Sequence, residues 1–254
     1  MIHSDQKTTD FGFKTVAVED KVNEVRAVFD RVASKYDLMN DFMSGGVHRL
    51  WKREMVGRMD LKPGFKILDV AGGTGDVSFL IHKKLKPITA PDQITVCDIN
   101  KEMLQVGKAR ALDRGLTHGL QWVCGNAEAL PFPDRSFDRY TIAFGLRNVT
   151  HKAKAIAEAY RVLKPGGQFL CLEFSQPTDE FLKVCYDTYS FHVIPKMGKI
   201  IANDEESYDY LVESIRQFPT QEKLKSMVED AQFSQTGYQN LLGGIAALHW
   251  GWRL

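Results

Sequence analysis

The sequence lacks the features that mark several classes of protein. Its basic and acidic residues almost cancel, leaving a formal net charge of +1 over 254 residues, so no electrostatic attraction to nucleic acid is expected. No segment approaches the roughly 20 consecutive apolar residues that cross a bilayer. Residues 1–20 contain no apolar core of signal-peptide length. These absences predict a soluble protein, at most peripherally attached to a membrane, that does not bind nucleic acid.

Cysteine is also scarce, with four residues in the chain. No Cys-x-x-Cys pair is present, so zinc binding and thioredoxin-like redox chemistry have no support in the sequence, and we predict no metal site. Cys97, Cys124 and Cys171 instead lie within short apolar runs typical of strands. We therefore expect buried thiols in a reducing compartment.

One segment carries a recognisable binding motif. The apolar run 65–68 ends at Asp69 and leads into Gly72-Gly73-Thr74-Gly75, after which apolar residues recur at helical spacing. This pattern predicts a buried strand, a tight turn and a helix whose first amide groups face a polar ligand. Glycine suits the turn because a Cβ would keep the backbone away from that ligand. On its own the motif indicates a nucleotide-like ligand and leaves the reaction open.

Strand-like and helix-like segments alternate from about residue 65 to residue 175. Such alternation predicts an α/β fold, with a mostly parallel sheet covered by helices on both faces. Two helices before this core would pack over the ligand edge of the sheet, and an antiparallel strand pair would close the sheet after it. The predicted strands are 65–71, 94–99, 120–125, 137–144, 167–174, 238–242 and 244–250, and the predicted helices include 22–29, 50–59, 101–114, 151–163, 208–218 and 224–231.

Two further positions have the order and spacing of a nucleotide site. Asp98 ends the second predicted strand, where dinucleotide-type folds place an acid that accepts hydrogen bonds from a ribose diol. Asn126 follows the third strand, where a polar side chain suits the adenine edge, although each residue taken singly is also ordinary turn chemistry. The loop is not the fingerprint Gly-x-Gly-x-x-Gly, and with these partners it resembles the S-adenosylmethionine site of class I methyltransferases. The cofactor-binding residues are then Asp69, Gly72, Gly73, Thr74, Gly75, Asp98, Asn126 and Ala127.

Several segments outside this site are more selective still. Tyr36-Asp37-Leu38-Met39-Asn40 and Phe144-Gly145-Leu146-Arg147-Asn148 are the most specific, whereas Lys164-Pro165-Gly166-Gly167 occurs in many class I methyltransferases. Nearly the whole chain resembles the ubiquinone/menaquinone biosynthesis C-methyltransferases. Besides the three segments just named, the segments that carry this resemblance are residues 11–13, 48–52, 172–175 and 213–216. One position departs from that family. Gln232 stands where glycine is more common, at a predicted helix end that favours a left-handed residue.

The resemblance implies methyl transfer from S-adenosyl-L-methionine to a ring carbon of a polyprenylated quinol. The acceptor would be a 2-polyprenyl-6-methoxy-1,4-benzoquinol, a demethylmenaquinol or both. The implied fold is a Rossmann-like, seven-stranded sheet in one structural domain, with residues 1–60 as an N-terminal segment and helical cap and 61–254 as the methyltransferase domain. The implied location is the bacterial cytoplasm beside the inner membrane, or the matrix face of the mitochondrial inner membrane. Peripheral membrane contact, other quinone-biosynthesis proteins as partners and a homodimer stay open.

Arg147 and Asn148 are the first candidates for catalysis, because they follow the fourth strand at the edge where open α/β sheets bind ligands. We hypothesise that Arg147 stabilises a developing phenolate on the acceptor, directly or through an ordered water, since a guanidinium is a poor general base. The alternative is an ordinary ion-pair partner. Tyr36, with Asp37 and Asn40, is the third candidate, on a segment that either forms a lid over the sulfonium or packs against the sheet.

Two other features have both a functional and a structural interpretation. His48 has an ordinary pKa near neutrality, which suits a base, but we favour a role in docking its helix. The aromatic segment 181–197 predicts a channel for the isoprenoid tail or a docking surface for a membrane or partner, with core packing an equal alternative. For the chain as a whole, an O- or N-methyltransferase for another small molecule and a methyltransferase-like scaffold subunit stay open.

Overall fold

A seven-stranded sheet between two layers of helices organises the residues that the computed structural model describes, which are 8–32, 41, 43–197, 199 and 204–254. The strands are β1 (Thr8–Phe11), β2 (Lys14–Ala17), β3 (Ile67–Val70), β4 (Ile94–Asp98), β5 (Leu120–Cys124), β6 (Phe137–Ala143), β7 (Leu163–Phe174), β8 (Ser234–Leu241) and β9 (Ala246–Arg253). The helices are α1 (Val18–Val32), α2 (His48–Gly57), α3 (Asp76–Lys84), α4 (Lys101–Asp113), α5 (Lys152–Val162), α6 (Glu180–His192), α7 (Ile194–Met197), α8 (Glu205–Gln217) and α9 (Gln221–Asp230). Short 3-10 turns cover Leu146–Asn148 and Leu242–Gly244.

The order of strands across the sheet is β5, β4, β3, β6, β7, β9, β8, and β1 and β2 form a separate hairpin. All neighbouring pairs from β5 to β7 are parallel, whereas β9 is antiparallel to both of its neighbours. The predicted α/β fold with a mostly parallel sheet and an antiparallel closing pair is therefore confirmed. The chain runs outward from β3 through β4 to β5 and then returns to β6 on the other side. In open parallel sheets, ligands bind at such a reversal, outside the carboxyl ends of the strands.

The apolar core lies on both faces of this sheet. All four residues of β3 are buried, as expected of a central parallel strand that is covered on both sides. One core cluster joins the sheet to α2 and α8 and includes Trp51 and Leu211. The other joins it to α5 and α9 and includes Ala159 and Leu224. The two clusters fix the central strands, whose carboxyl ends carry the site. No helix among the described residues has both the length and the apolar character to cross a membrane.

The observed bounds of several elements differ from the predicted ones by up to four residues, as at the starts of α1, β7 and β8, and the predicted burial of one cysteine is wrong. Strand β7 begins at Leu163 rather than at residue 167, because the chain enters the sheet before an irregular stretch in which pairing with β6 moves from Leu163 to Gln168. Cys124 is exposed, because β5 is an edge strand and only its neighbour β4 covers it on one side. Cys97 and Cys171 are buried as expected.

The left-handed helix end predicted at Gln232 is confirmed. Its φ is +72°, and its N–H donates to the carbonyl of Glu229 at 2.8 Å. The β1–β2 hairpin was not predicted, although Gly12 turns it with a φ of +58°. The proposed division at residue 60 stays a prediction.

Candidate active site

A cleft opens at the carboxyl ends of β3, β4, β5 and β6. Its floor is the loop between β3 and α3, and its walls come from α1, α2 and the segments that follow β4, β5 and β6. Among the described residues, the lining is Val22, Val25, Arg26, Lys52, Asp69–Thr74, Asp76, Val77, Asp98–Asn100, Met103, Gly125–Glu128, Ala143–Gly145 and Asn148–Thr150. Seven of the eight residues predicted to bind the cofactor line this cleft. The eighth, Gly75, lies directly after Thr74 as the N-cap of α3.

The loop 71–75 takes a backbone course that favours glycine, although Ala71 also has a positive φ, of +51°. Gly73 and Gly75 have φ values of +51° and +88°, in the left-handed region that side chains disfavour. A Cβ on Gly72 would lie 2.6 Å from a methyl group of Val96 and 3.0 Å from the carbonyl oxygen of Asp69. Helix α3 begins at this loop, and its N-cap residue Gly75 supplies no side-chain cap for the first N–H groups of the helix. The backbone, rather than side chains, shapes this half of the site.

Asp69 fastens the end of β3 to its surroundings. Its carboxylate is buried and accepts hydrogen bonds from Ser78 at 2.7 Å and from Thr141 at 2.9 Å. Burial raises the pKa of Asp69 to about 6, because the two neutral hydroxyl donors only partly replace lost solvation. Asp69 therefore holds β3, α3 and β6 together beneath the loop.

Asp98 links the loop to the end of β4. Its carboxylate accepts the N–H of Gly73 at 2.9 Å and that of Asn100 at 2.8 Å. Burial raises the pKa of Asp98 to about 6 despite these donors. Each carboxylate oxygen can accept more than one hydrogen bond, so Asp98 can still accept the hydroxyl groups of a bound ribose.

Asn126 and Ala127 line the cleft beyond β5. The side-chain oxygen of Asn126 accepts the N–H of Glu128 at 2.9 Å, which closes a tight turn. That turn presents the small side chain of Ala127, 9% exposed, at the cleft surface. The arrangement combines a polar edge with a small apolar face, as expected next to a planar base.

Arg147 and Asn148 lie next to each other in the turn after β6 but occupy different environments. The Arg147 side chain is fully buried, and Nη1 donates to both oxygens of Glu173 at 3.2 and 3.0 Å. It also donates to the carbonyl oxygen of Phe144 at 2.6 Å. Burial raises the pKa of Glu173, and Arg147 opposes that shift. Arg147 is not among the described residues that line the cleft, so it stands behind the wall rather than in it.

Asn148 forms part of the wall itself. The hydroxyl group of Tyr210, on α8, donates to its side-chain oxygen at 3.0 Å. Tyr210 in turn stacks on Phe11 of the β1–β2 hairpin, with ring centroids 4.2 Å apart. The hairpin and α8 thus fix the amide of Asn148, whose oxygen accepts from Tyr210 and whose NH₂ group is a donor.

The third catalytic candidate, Tyr36, lies outside the described residues, as do Asp37 and Asn40. Its role and the lid stay predictions. His48 is buried, and its Nε2 lies 2.9 Å from Asp41, which Arg49 also binds through both carboxylate oxygens. Burial lowers the pKa of His48, so the neutral ring is favoured. These contacts support docking of α2, the structural interpretation.

Two charged residues of the site region were not among the predicted site residues. Glu173 is the partner of Arg147, and it belongs to one of the segments that carried the family resemblance. Lys52 lines the cleft, with Nζ 2.9 Å from Asp76. Like Glu173, it belongs to a segment that carried the family resemblance, residues 48–52, and it lies one turn after His48 on the same helix. Within the described residues, no group of three or more His, Cys, Asp or Glu side chains is arranged to hold a metal ion.

A model of the ubiE/COQ5 methyltransferase family matches residues 14–253. The chain belongs to this family. It is 55% identical over 253 residues to the ubiquinone/menaquinone biosynthesis C-methyltransferase UbiE of Pseudoalteromonas translucida, covering 100% of both chains. It is 51% identical over 278 residues to the mitochondrial 2-methoxy-6-polyprenyl-1,4-benzoquinol methylase of Danio rerio, covering 98% of this chain and 85% of that protein. The predicted family, methyltransferase class and cofactor S-adenosyl-L-methionine are confirmed.

Solved structures show the same fold at lower identity. A SAM-dependent methyltransferase from Aquifex aeolicus superposes with a TM-score of 0.58 at 16% identity, over 87% of this chain and 98% of that one. Phosphoethanolamine N-methyltransferase 2 of Haemonchus contortus, solved with S-adenosyl-L-methionine, gives 0.54 at 17% identity, over 75% of this chain and 38% of that one. At this identity the likeness shows the fold alone.

The residues of this ubiE/COQ5 family member fit the cofactor. Gly72 lines the cleft at a place where a Cβ would collide with Val96 and Asp69. Asp98 retains acceptor capacity for a ribose diol, and the Asn126 turn offers a surface for a base. Across the sheet, Asn126 follows β5, Asp98 ends β4 and the start of α3 follows β3, so the start of α3 is two strands from Asn126 and is left for the amino-acid end of the molecule. The site residues named for the cofactor remain predictions, now with a consistent geometry.

Proposed function

We propose that this chain methylates a ring carbon of a polyprenylated quinol, as the names of its relatives indicate for those proteins. The observation that carries the proposal is the uninterrupted match, 55% identity over the full length of both chains, to a ubiquinone/menaquinone biosynthesis C-methyltransferase. The acceptor is a 2-polyprenyl-6-methoxy-1,4-benzoquinol, a demethylmenaquinol or both, since bacterial and mitochondrial relatives match almost equally well.

The cofactor supplies an electrophilic methyl group on a sulfonium. The chain's part is to align that methyl with the acceptor carbon, which can lower the barrier by roughly 7–11 kcal/mol. The loop 71–75, Asp98 and the Asn126 turn fix the donor at the carboxyl ends of the strands. The acceptor ring lies against the wall that contains Asn148, Val149 and Phe144.

Asn148 and Arg147 act on the acceptor in different ways. Asn148 donates from its NH₂ group to a ring oxygen of the quinol, in the orientation that Tyr210 fixes. Loss of the hydroxyl proton makes the neighbouring ring carbon nucleophilic, and positive potential in a site of low polarity favours that loss. Arg147 provides this potential from behind the wall, and Glu173 holds it there. Water carries the proton away.

Tail binding and membrane contact are part of the proposal. Segment 181–197 is divided between two environments, because Tyr186 and Ser190 are buried whereas Phe181, Val184 and Phe191 are exposed. Core packing therefore accounts for one side of α6 only. The exposed side suits an isoprenoid chain or a membrane surface at the inner membrane of a bacterium or mitochondrion. Other quinone-biosynthesis proteins and a second copy of this chain are further candidate partners.

The test is incubation of the purified chain with S-adenosyl-L-methionine carrying a labelled methyl group and each of the two demethylated quinols. We expect label on a ring carbon of at least one quinol, measured by mass spectrometry of the extracted product. Cofactor binding without transfer to either quinol would contradict the proposal and favour the scaffold function. Label on oxygen or nitrogen would identify a different methyltransferase.

A further inference from the structure

The Lys52 side chain is an unusual component of a cleft built mainly from glycine, small side chains and carboxylates. It projects from α2 with 7% of its surface exposed, and lysine is rarely this buried unless it is paired. Its Nζ lies 2.9 Å from Asp76 Oδ2 and 6.0 Å from the centre of the Phe144 ring. An ammonium group has three donors, and Asp76 is its single hydrogen-bond partner in the described part of the chain.

Asp76 has a second cationic neighbour besides Lys52. Arg110 of α4 approaches the other carboxylate oxygen of Asp76, at 3.9 Å. Asp76 would therefore keep a cationic neighbour if Lys52 turned toward a ligand. The ammonium group can then bind an anion in the cleft and leave Asp76 compensated.

The position of Lys52 along the cleft identifies the anion. Two cationic side chains line the cleft among the described residues, Arg26 and Lys52. Arg26 reaches the carbonyl oxygen of Ile99, beside Asp98 and thus at the ribose end. Lys52 stands beside Asp76, the first residue of α3, at the end left for the methionine portion of the cofactor. The α-carboxylate is the one anionic group of that portion.

We propose that Lys52 binds the α-carboxylate of S-adenosyl-L-methionine and thereby selects cofactors that carry it. This rests on the proposed function only in its choice of cofactor, and it does not depend on which quinol is methylated. A competing interpretation is that the Lys52–Asp76 pair only docks α2 onto α3. The two interpretations differ in what happens when the same ion pair is broken from the Asp76 side.

The experiment compares binding of S-adenosyl-L-methionine with binding of its decarboxylated analogue, by calorimetry in the absence of quinol. We expect the chain to prefer the carboxylated form by about tenfold, equivalent to about 1.4 kcal/mol. In Lys52→Met the preference should disappear, through weaker binding of the carboxylated form alone. Lys52→Arg should restore most of it. Asp76→Asn is the matched control, because it breaks the ion pair but keeps the cation, and it should retain the preference.

Two outcomes would overturn the proposal. In one, Lys52→Met weakens both ligands equally and Asp76→Asn does the same, which is the signature of helix docking. In the other, Lys52→Met leaves the preference intact. If Lys52→Met proves unstable to urea, the double variant Lys52→Met/Asp76→Asn removes the unpaired carboxylate and must still lack the preference. If the unaltered chain binds neither ligand, S-adenosyl-L-methionine is the wrong cofactor and the proposal for Lys52 fails. If the chain binds the cofactor but transfers no methyl group to a quinol, only the proposed substrate is contradicted.

Discussion

The part of the cleft proposed for the cofactor (the cofactor half) and the part proposed for the acceptor (the acceptor half) are held in place by different kinds of contact. In the cofactor half, backbone conformation and amide-to-carboxylate hydrogen bonds such as Gly73 to Asp98 fix the loop. In the acceptor half, side chains from distant segments do so, with Glu173 of β7 holding Arg147 and Tyr210 of α8 holding Asn148. The first half should therefore be sensitive to an added Cβ, and the second to the loss of a single polar partner.

The largest effect should come from breaking the buried pair of the acceptor half. Arg147→Met leaves Glu173 buried without its cation, which should lower the free energy of unfolding by about 3–5 kcal/mol. Arg147→Met/Glu173→Leu should recover most of this loss, because no buried charge remains. Urea unfolding measures both variants. If Arg147→Met is as stable as the unaltered chain, the Arg147–Glu173 pair does not hold this half together.

The same double variant separates structure from chemistry. If Arg147 favours ionisation of the acceptor, the folded double variant Arg147→Met/Glu173→Leu should bind S-adenosylhomocysteine normally and still have greatly reduced turnover. Full turnover in the stable double variant would show that Arg147 only pairs with Glu173.

In the cofactor half, Gly72→Ala should be the most damaging single change. Its Cβ would meet Val96 and the carbonyl oxygen of Asp69, and overpacking of this kind costs about 1–3 kcal/mol. The same clash should displace the loop that is predicted to hold the cofactor, so calorimetry should also show weaker cofactor binding. Gly57→Ala is the control, because a Cβ there meets nothing within 4 Å. If Gly72→Ala and Gly57→Ala have equal effects, the loop at Gly72 is no more sensitive to an added Cβ than an ordinary glycine position.

Cofactor affinity should depend on pH through Asp98, whose pKa is about 6. If Asp98 binds the ribose as predicted, its ionised form accepts the ribose hydroxyls, so affinity rises as pH rises through 6 and is constant well above it. Between pH 7 and pH 5 the dissociation constant of S-adenosylhomocysteine should increase about tenfold. Asp98→Asn should bind more weakly with a flat profile, and an unchanged slope in that variant would assign the titration to another group, such as Asp69.

The stability of the free protein should have the opposite dependence on pH. Because the pKa of Asp98 is raised from 3.8 to about 6, the folded state binds more protons than the unfolded state between these values. The contribution of Asp98 to stability is therefore present at low pH and is lost as pH rises from about 4 to about 6. Urea unfolding of Asp98→Asn, compared with the unaltered chain across this range, would isolate it.

The smallest effect is expected far from both halves, at Gln232. Its φ of +72° suits glycine, so Gln232→Gly should raise the free energy of unfolding by about 0.5–1 kcal/mol. A higher urea midpoint with unchanged cofactor binding would support this. A lower midpoint would mean that the Gln232 side chain makes a contribution that outweighs its strain.

The comparison of the halves also explains what the sequence could predict. Gly72–Gly75, Asp98 and Asn126 were found because backbone geometry leaves a local signature of glycine and strand-end polar residues. Continuous apolar runs such as 67–70 predicted the parallel sheet for the same reason. The contacts of Glu173 with Arg147, of Tyr210 with Asn148 and of Lys52 with Asp76 were not predicted, because each joins segments that are separated along the chain. Exposure of Cys124 was missed because a strand's own sequence does not tell whether it lies at an edge.

The position of β9 has a consequence for the order in which the molecule assembles. This strand lies between β7 and β8, so β7 keeps an open edge until residues 246–253 have been synthesised. An open strand edge is a template for pairing with another chain, and pairing between distant segments is slow. Because β7 also carries Glu173, the acceptor half matures late, while the β3–α3–β4 unit needs only residues that emerge early. A nascent chain should therefore be able to form its cofactor loop well before it can hold Arg147.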